Sequence, residues 1–116
     1  MADPEQLTVR NDQEQGQYVL EAGDMVLGKA QYQTAPEGLA FVHTEIAPAV
    51  EGQGLGGVLV KAALDDARAR GLAVLPYCTF VRHYIDTHRE YLDLIPPDRR
   101  LAFGFERVQP QDTAQV

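Results

Sequence analysis

Apolar residues change their spacing along this chain, from strand-like runs in the first half to a helical period after about residue 54. Tyr18-Val19-Leu20-Glu21 and residues 25–32 flank Ala22-Gly23-Asp24, a short loop with the small residues that a tight antiparallel turn needs. Residues 7–10 supply a further candidate strand. After the turn-forming Pro36-Glu37-Gly38, residues 39–46 begin apolar on both faces, as an inner strand covered on two sides must be, and become polar at His43-Thr44-Glu45. Pro48 stops that strand and a glycine-rich stretch follows. A helix is then predicted from about Gly54 to Arg70. Leu59, Val60, Ala63, Leu64 and Ala67 fall on one face, Lys61, Asp65 and Arg68 lie opposite, and Gly71 provides the stop.

The next short apolar run, residues 72–75, reads as a buried strand closed by Pro76. A second amphipathic helix is predicted over about 79–89, with Thr79 as N-cap and Phe80, Val81, Tyr84 and Ile85 as its apolar set. Ile95-Pro96-Pro97 is a break that neither a helix nor a central strand tolerates. The expected organisation is therefore one domain over residues 1–94. A C-terminal appendage covers 95–116, with an edge strand at 101–108 carrying Phe103 and Phe105, then a disordered tail. The order strand, strand, strand, helix, strand, helix gives an α+β fold, an α/β layer sandwich with a mixed, mostly antiparallel sheet and two helices.

Composition narrows the functional classes. A chain of 116 residues can bury one ordinary core, so a single site is sought. The net charge of −7 is uneven: residues 1–53 hold nine acids against Arg10 and Lys29, whereas 54–116 hold eight of each sign. No basic cluster exceeds Arg99-Arg100, which argues against a nucleic-acid partner. The opening Met1-Ala2-Asp3-Pro4 lacks the basic start and apolar run of a secretory signal, and no apolar stretch is long enough to cross a membrane. A soluble, cytoplasmic protein without membrane partners is expected. The lone Cys78 excludes an internal disulfide and leaves a buried structural thiol or a functional one.

The strongest chemical signal is Glu51-Gly52-Gln53-Gly54-Leu55-Gly56-Gly57, with four glycines in six positions between a strand and a helix. Such a turn exposes several amide N–H groups that no side chain obstructs, and the helix N-terminus adds a partial positive charge. Together they suit a pyrophosphate without a lysine. The Gly-Lys-Ser/Thr of a nucleoside triphosphate loop is missing, and the preceding strand follows a hairpin rather than opening a βαβ unit.

Residues 46–60 resemble the cofactor motif of the Gcn5-related N-acetyltransferases, whose core is Gln/Arg-x-x-Gly-x-Gly/Ala. Gly54 and Gly56 match it; Glu51 stands where the family usually has Gln or Arg. Residues 76–85 and His88-Arg89-Glu90-Tyr91 are similar to the minimal, YjdJ-like branch that lacks the usual first helices. The resemblance covers about residues 8–94. It implies a minimal acetyltransferase fold, acetyl-CoA or coenzyme A as cofactor, and an amine acceptor, either a small molecule or a protein lysine. Glu45, Ile46, Gly52, Gln53, Gly54, Leu55, Gly56 and Gly57 would then bind the cofactor. The end of the strand at Glu45 and Ile46 would splay from its neighbour, pair with the pantetheine arm and provide an oxyanion donor.

His43 and Cys78 are the candidate catalytic residues. An imidazole suits general-base work near neutrality, and alternation places His43 on the face of Glu45, which can orient it; the alternative is a histidine satisfied in the core. Cys78 opens a helix, where a thiol is activated, and under the resemblance it protonates the departing thiolate or accepts acetyl transiently; the alternative is packing. Tyr84 corresponds to a proton donor of larger relatives but also belongs to the apolar stripe. His83 and His88 lack the i, i+4 spacing of a helical metal pair, so no metal is expected. The competing function is a coenzyme A or acyl-CoA binding module without turnover.

Overall fold

The computed structural model describes residues 6–105. Five strands form one mixed sheet in the order β1-β2-β3-β4-β5: β1 (Leu7–Asp12), β2 (Gln17–Ala22), β3 (Met25–Ala35), β4 (Gly38–Ile46) and β5 (Ala73–Pro76). The first four are antiparallel neighbours and β4 pairs with β5 in parallel. The connection between the parallel strands is α1 (Leu55–Ala69), and α2 (Thr79–Thr87) follows β5. The sheet and helices agree with the expected α+β sandwich.

Cross-strand register explains why the layers form. Tyr18 lies opposite Ala30, and Ala30 opposite Thr44, so this row shares one face. That face receives α1: Leu59, Val60, Ala63, Leu64 and Ala67 are buried in the same cluster as Tyr18, Leu20, Ala30, Tyr32 and Phe41. The Tyr18 hydroxyl donates to Asp66 of α1 at 2.6 Å, tying helix to sheet by a polar contact at the margin of the apolar layer. The neighbouring row, Arg10, Val19, Lys29 and Glu45, belongs to the opposite, more polar face. Along β4, residues 38–41 are buried on both faces, whereas His43 and Glu45 are exposed.

Helix ends follow local chemistry. Gly71 closes α1 with φ 70°: its N–H donates to the Arg68 carbonyl at 3.1 Å, and that of Leu72 to Ala67 at 2.9 Å. This double bond satisfies the last carbonyls. The N-cap of α2 is Cys78 rather than Thr79, because Cys78 retains extended backbone (φ −72°, ψ 128°) and gives its N–H to Phe41 of β4. The helix ends at Thr87, two residues before the expected boundary, and residues 89–94 tighten into a 3-10 turn.

The stretch after Pro96 also differs from expectation. Residues 101–104 form turns, not the start of an edge strand, because the amides of Phe103 and Phe105 both donate back to the Arg100 carbonyl. An amide spent locally cannot join a ladder. Ile95, Phe103 and Phe105 are nevertheless buried in the common core. Arg99 holds this segment down, pairing with Glu37, donating to the Tyr77 hydroxyl and lying over the Phe103 ring. The remainder of the expected edge strand, 106–108, and the expected tail lie outside the described residues.

Two consequences are measurable. Leu64 is fully buried, so Leu64→Ala should cost about 2–5 kcal/mol in denaturant unfolding. Arg68 donates to both carboxylate oxygens of Asp93, at 2.8 and 3.0 Å, and these bonds hold the Asp93 carboxyl below its ordinary value of 3.8. A depressed folded-state pKa gives stability that is present above 3.8 and fades as pH falls through the lower folded value. Asp93→Asn should therefore unfold earlier than the parent near neutrality, with the difference disappearing in strong acid.

Candidate active site

Two neighbouring stretches of backbone frame the candidate site, one a glycine turn with unengaged amides and the other a strand end paired on one edge. The first is the turn between β4 and α1. Gly52 (φ 85°) and Gly54 (φ 77°) adopt left-handed backbone, and α1 begins at Leu55 with no side-chain cap. A helix start always leaves its first amides unbonded, and side-chain caps normally take some of them. Among the described residues, no amide of residues 52–57 makes a hydrogen bond of good geometry to another group. A Cβ built on Gly52 or Gly54 would meet nothing within 4 Å, so both open onto free space. Glu51 is exposed beside this cradle, its own N–H bonded to the Pro48 carbonyl at 3.3 Å.

The second stretch is the far end of β4. Parallel pairing with β5 covers only Gly38 to Phe41, opposite Ala73 to Pro76, and the Cys78 amide then closes the junction on the Phe41 carbonyl at 2.8 Å. Beyond it β5 has ended, and β4 runs on without a strand partner on that edge among the described residues, a gap in the ladder. On the other edge β3 continues alongside β4, with a bulge that inserts Val42 between the pairs Gln31–His43 and Tyr32–Phe41. The Ala47 amide donates to Leu27 of β3 at 2.8 Å. Strand alternation therefore directs the amides of Glu45 and His43 to β3 as well, and those of Thr44 and Ile46 into the gap.

Side chains are distributed around that gap. His43 Nε2 lies 3.3 Å from Glu45 Oε2 on the polar face, with both groups about half exposed (55% and 50%). Thr44 points the other way, and its Oγ1 is 3.3 Å from the Sγ of Cys78, which is 8% exposed. The structure thus brings His43 together with Glu45, and Cys78 together with Thr44, but sends His43 and Cys78 to opposite faces of one strand. Ile46 lies over Gly28 of β3, where a Cβ would collide with its side chain.

An open groove of about 460 Å³ continues from Gly54 between α1 and α2, lined by Gly57, Val58 and Lys61 on one side and Phe80, His83, Tyr84, Thr87 and His88 on the other. Of the apolar stripe expected on α2, only Val81 and Ile85 enter the core. Phe80 is 40% exposed and sits where a Cβ on Gly56 would be, so the glycine that frees the turn also lets the two helices approach. Tyr84 stacks on His88 with centroids 3.9 Å apart, and its burial raises the phenol pKa, keeping it neutral. Gly54, Gly57 and Tyr84 were singled out from sequence, but Thr44, Val58, Lys61, Phe80 and Thr87 were given no site role and His83 and His88 only failed as a metal pair. A second stripe at 80, 83/84 and 87/88 was the available signal.

These features agree with the family relationship. The model of the GCN5-related N-acetyltransferase family matches residues 17–94, and the chain belongs to that family. Among solved structures, a GCN5-like protein from Staphylococcus aureus, determined in solution by NMR, superposes with a TM-score of 0.60 at 22% identity over 78% of this chain and 89% of that one. This likeness is one of fold. Comparison with curated proteins gives no match. No helix among the described residues is long and apolar enough to cross a membrane.

The left-handed turn gives a direct test. Gly54→Ala should cost about 1–2 kcal/mol through backbone strain alone, since its Cβ meets no neighbour. Gly54→Asn should recover part of that loss, because asparagine tolerates this backbone; equal stability of all three proteins in urea melts would contradict the geometry.

Proposed function

We propose that this chain transfers an acetyl group from acetyl-CoA to a primary amine, and the observation that carries this reading is the run of unengaged amides at residues 52–57. Acetyl-CoA supplies an activated acyl group bonded to a good leaving thiolate. The cradle suits its pyrophosphate: the amides of Gly52, Gln53, Gly54, Leu55, Gly56 and Gly57 are unengaged, Gly52 and Gly54 open onto free space, and the start of α1 favours negative charge. Glu51 is exposed and can turn its carboxylate to solvent. The amides of Thr44 and Ile46 then provide strand-like pairing for the pantetheine arm, which assigns Ile46 a backbone role. The Glu45 amide is directed to β3, so the role of Glu45 passes to its side chain, beside His43.

A thioester lying in the gap is approached from both faces of β4. His43 accepts the proton of the attacking amine, and Glu45 orients the imidazole and stabilises the charge it acquires. An amide in the gap donates to the acyl oxygen as charge develops there. As the new N–C bond forms and the C–S bond breaks, Cys78, held by Thr44, supplies a proton to the departing sulfur and recovers it from solvent. The exposure of His43 favours direct attack by an acceptor arriving on the open face.

Acetyl-CoA at about 100 times its dissociation constant should raise unfolding stability by roughly 2.7 kcal/mol. His43→Ala should keep that shift while amine acetylation falls by about 10²–10⁴-fold. Binding without turnover on any amine would instead leave a coenzyme A binding module, and no shift at all would remove both readings.

A further inference from the structure

Four polar side chains stand in a square on the polar face of the sheet, away from α1. Register sets Lys29 of β3 directly opposite Glu45 of β4, and Gln31 directly opposite His43. Side chains paired in this way have Cβ atoms about 4.5–5.5 Å apart, and the diagonal partners Lys29 and His43 are separated by about 7–8 Å. His43 and Glu45 engage each other at 3.3 Å. Lys29 and Gln31 are both half-buried, and neither side chain makes an ion pair or a hydrogen bond among the described residues. Lys29 stands apart in this respect. Its row neighbour Arg10 is held by Glu21 and Asp12, Lys61 is held by Asp65, and every other described arginine pairs with a carboxylate or donates to a backbone carbonyl. Residues 1–53 carry nine acids against Arg10 and Lys29, so the lone ammonium is not explained by a shortage of partners.

An unneutralised ammonium beside a general base decides which amines can use that base. It repels a polycationic acceptor and draws in one that carries its own negative charge. A carboxylate offers two acceptor oxygens, so it can take an N–H from Lys29 and another from Gln31, the first of them charge-assisted. His43 lies one diagonal away, which requires the carboxylate and the amine to be only a few bonds apart. We infer that the acceptor is a small amine bearing a carboxylate, an amino acid in the broad sense. Lys29 and Gln31 hold its carboxylate while His43 receives the proton of its amine. The exposure of His43 and Glu45 leaves this face accessible to such a molecule. A protein lysine has no carboxylate on its own side chain and does not use the square in this way. The inference rests on the transferase reading given above and names its acceptor class.

Steady-state acetylation of glycine, β-alanine and 4-aminobutyrate by the full chain, each compared with its own carboxamide, tests the inference, with kcat/KM expressed per free-base amine. At least one acid should exceed its amide by about tenfold, the size expected of a charge-assisted hydrogen bond. Lys29→Met should bring that ratio close to one by raising KM for the acid. Lys29→Arg should keep most of the preference, and Lys29→Glu should invert it. Melting with and without acetyl-CoA checks that each variant still folds and binds. Acids no better than amides in the parent, or a Lys29→Met protein that weakens both series alike, would overturn the inference while leaving the transferase reading intact. Transfer to no amine at all would overturn that reading and the inference with it.

Discussion

Backbone amides have to find acceptors, and the organisation of this protein follows from where it withholds them. From the turn after β4 into the first residues of α1, six successive N–H groups have no well-formed partner among the described residues, and glycine-rich sequence leaves them unshielded. An anion that satisfies several at once gains from each without forcing the fold to reorganise, since the turn is fixed by β4 on one side and by the buried face of α1 on the other.

The end of pairing between β4 and β5 depends on an equally local event. Cys78 spends its amide on Phe41, and α2 begins at the next residue, so β5 has no more residues to offer. One hydrogen bond thus ends a parallel ladder, positions the thiol beside Thr44 and opens the edge of β4. The Val42 bulge works together with it by shifting the alternation of the strand. Without that inserted residue, different amides would face the gap and the polar His43-Thr44-Glu45 triplet would be turned over.

Much of this was legible in the chain. The apolar face of α1, the stop at Gly71 and the hairpin at Ala22-Gly23-Asp24 express short-range rules, and the structure follows them. The glycine turn was readable as a turn because the residues that allow its left-handed backbone, Gly52 and Gly54, are adjacent in sequence. Pairings across long separations were not: nothing local announces that Thr44 meets Cys78, or that the amide of Cys78 reaches Phe41. The edge strand expected at 101–108 had suitable residues, but strand propensity only says that a side chain prefers a half-buried place. Phe103 and Phe105 reach the core from turns instead. Phe80 and Tyr84 likewise looked like core stripe because aromatic side chains serve a groove wall as well as an interior.

The family pattern ends at residue 94, whereas the packed interior does not. Ile95, Phe103 and Phe105 fill it from beyond that limit, and Arg99 latches their segment to Glu37 at the start of β4 and to Tyr77 at the end of β5. The evolutionary unit and the physical unit therefore have different borders. A gene fragment trimmed to the matched residues would leave apolar sockets facing water beside β4 and β5, and expression boundaries are better drawn from burial than from the extent of the family match.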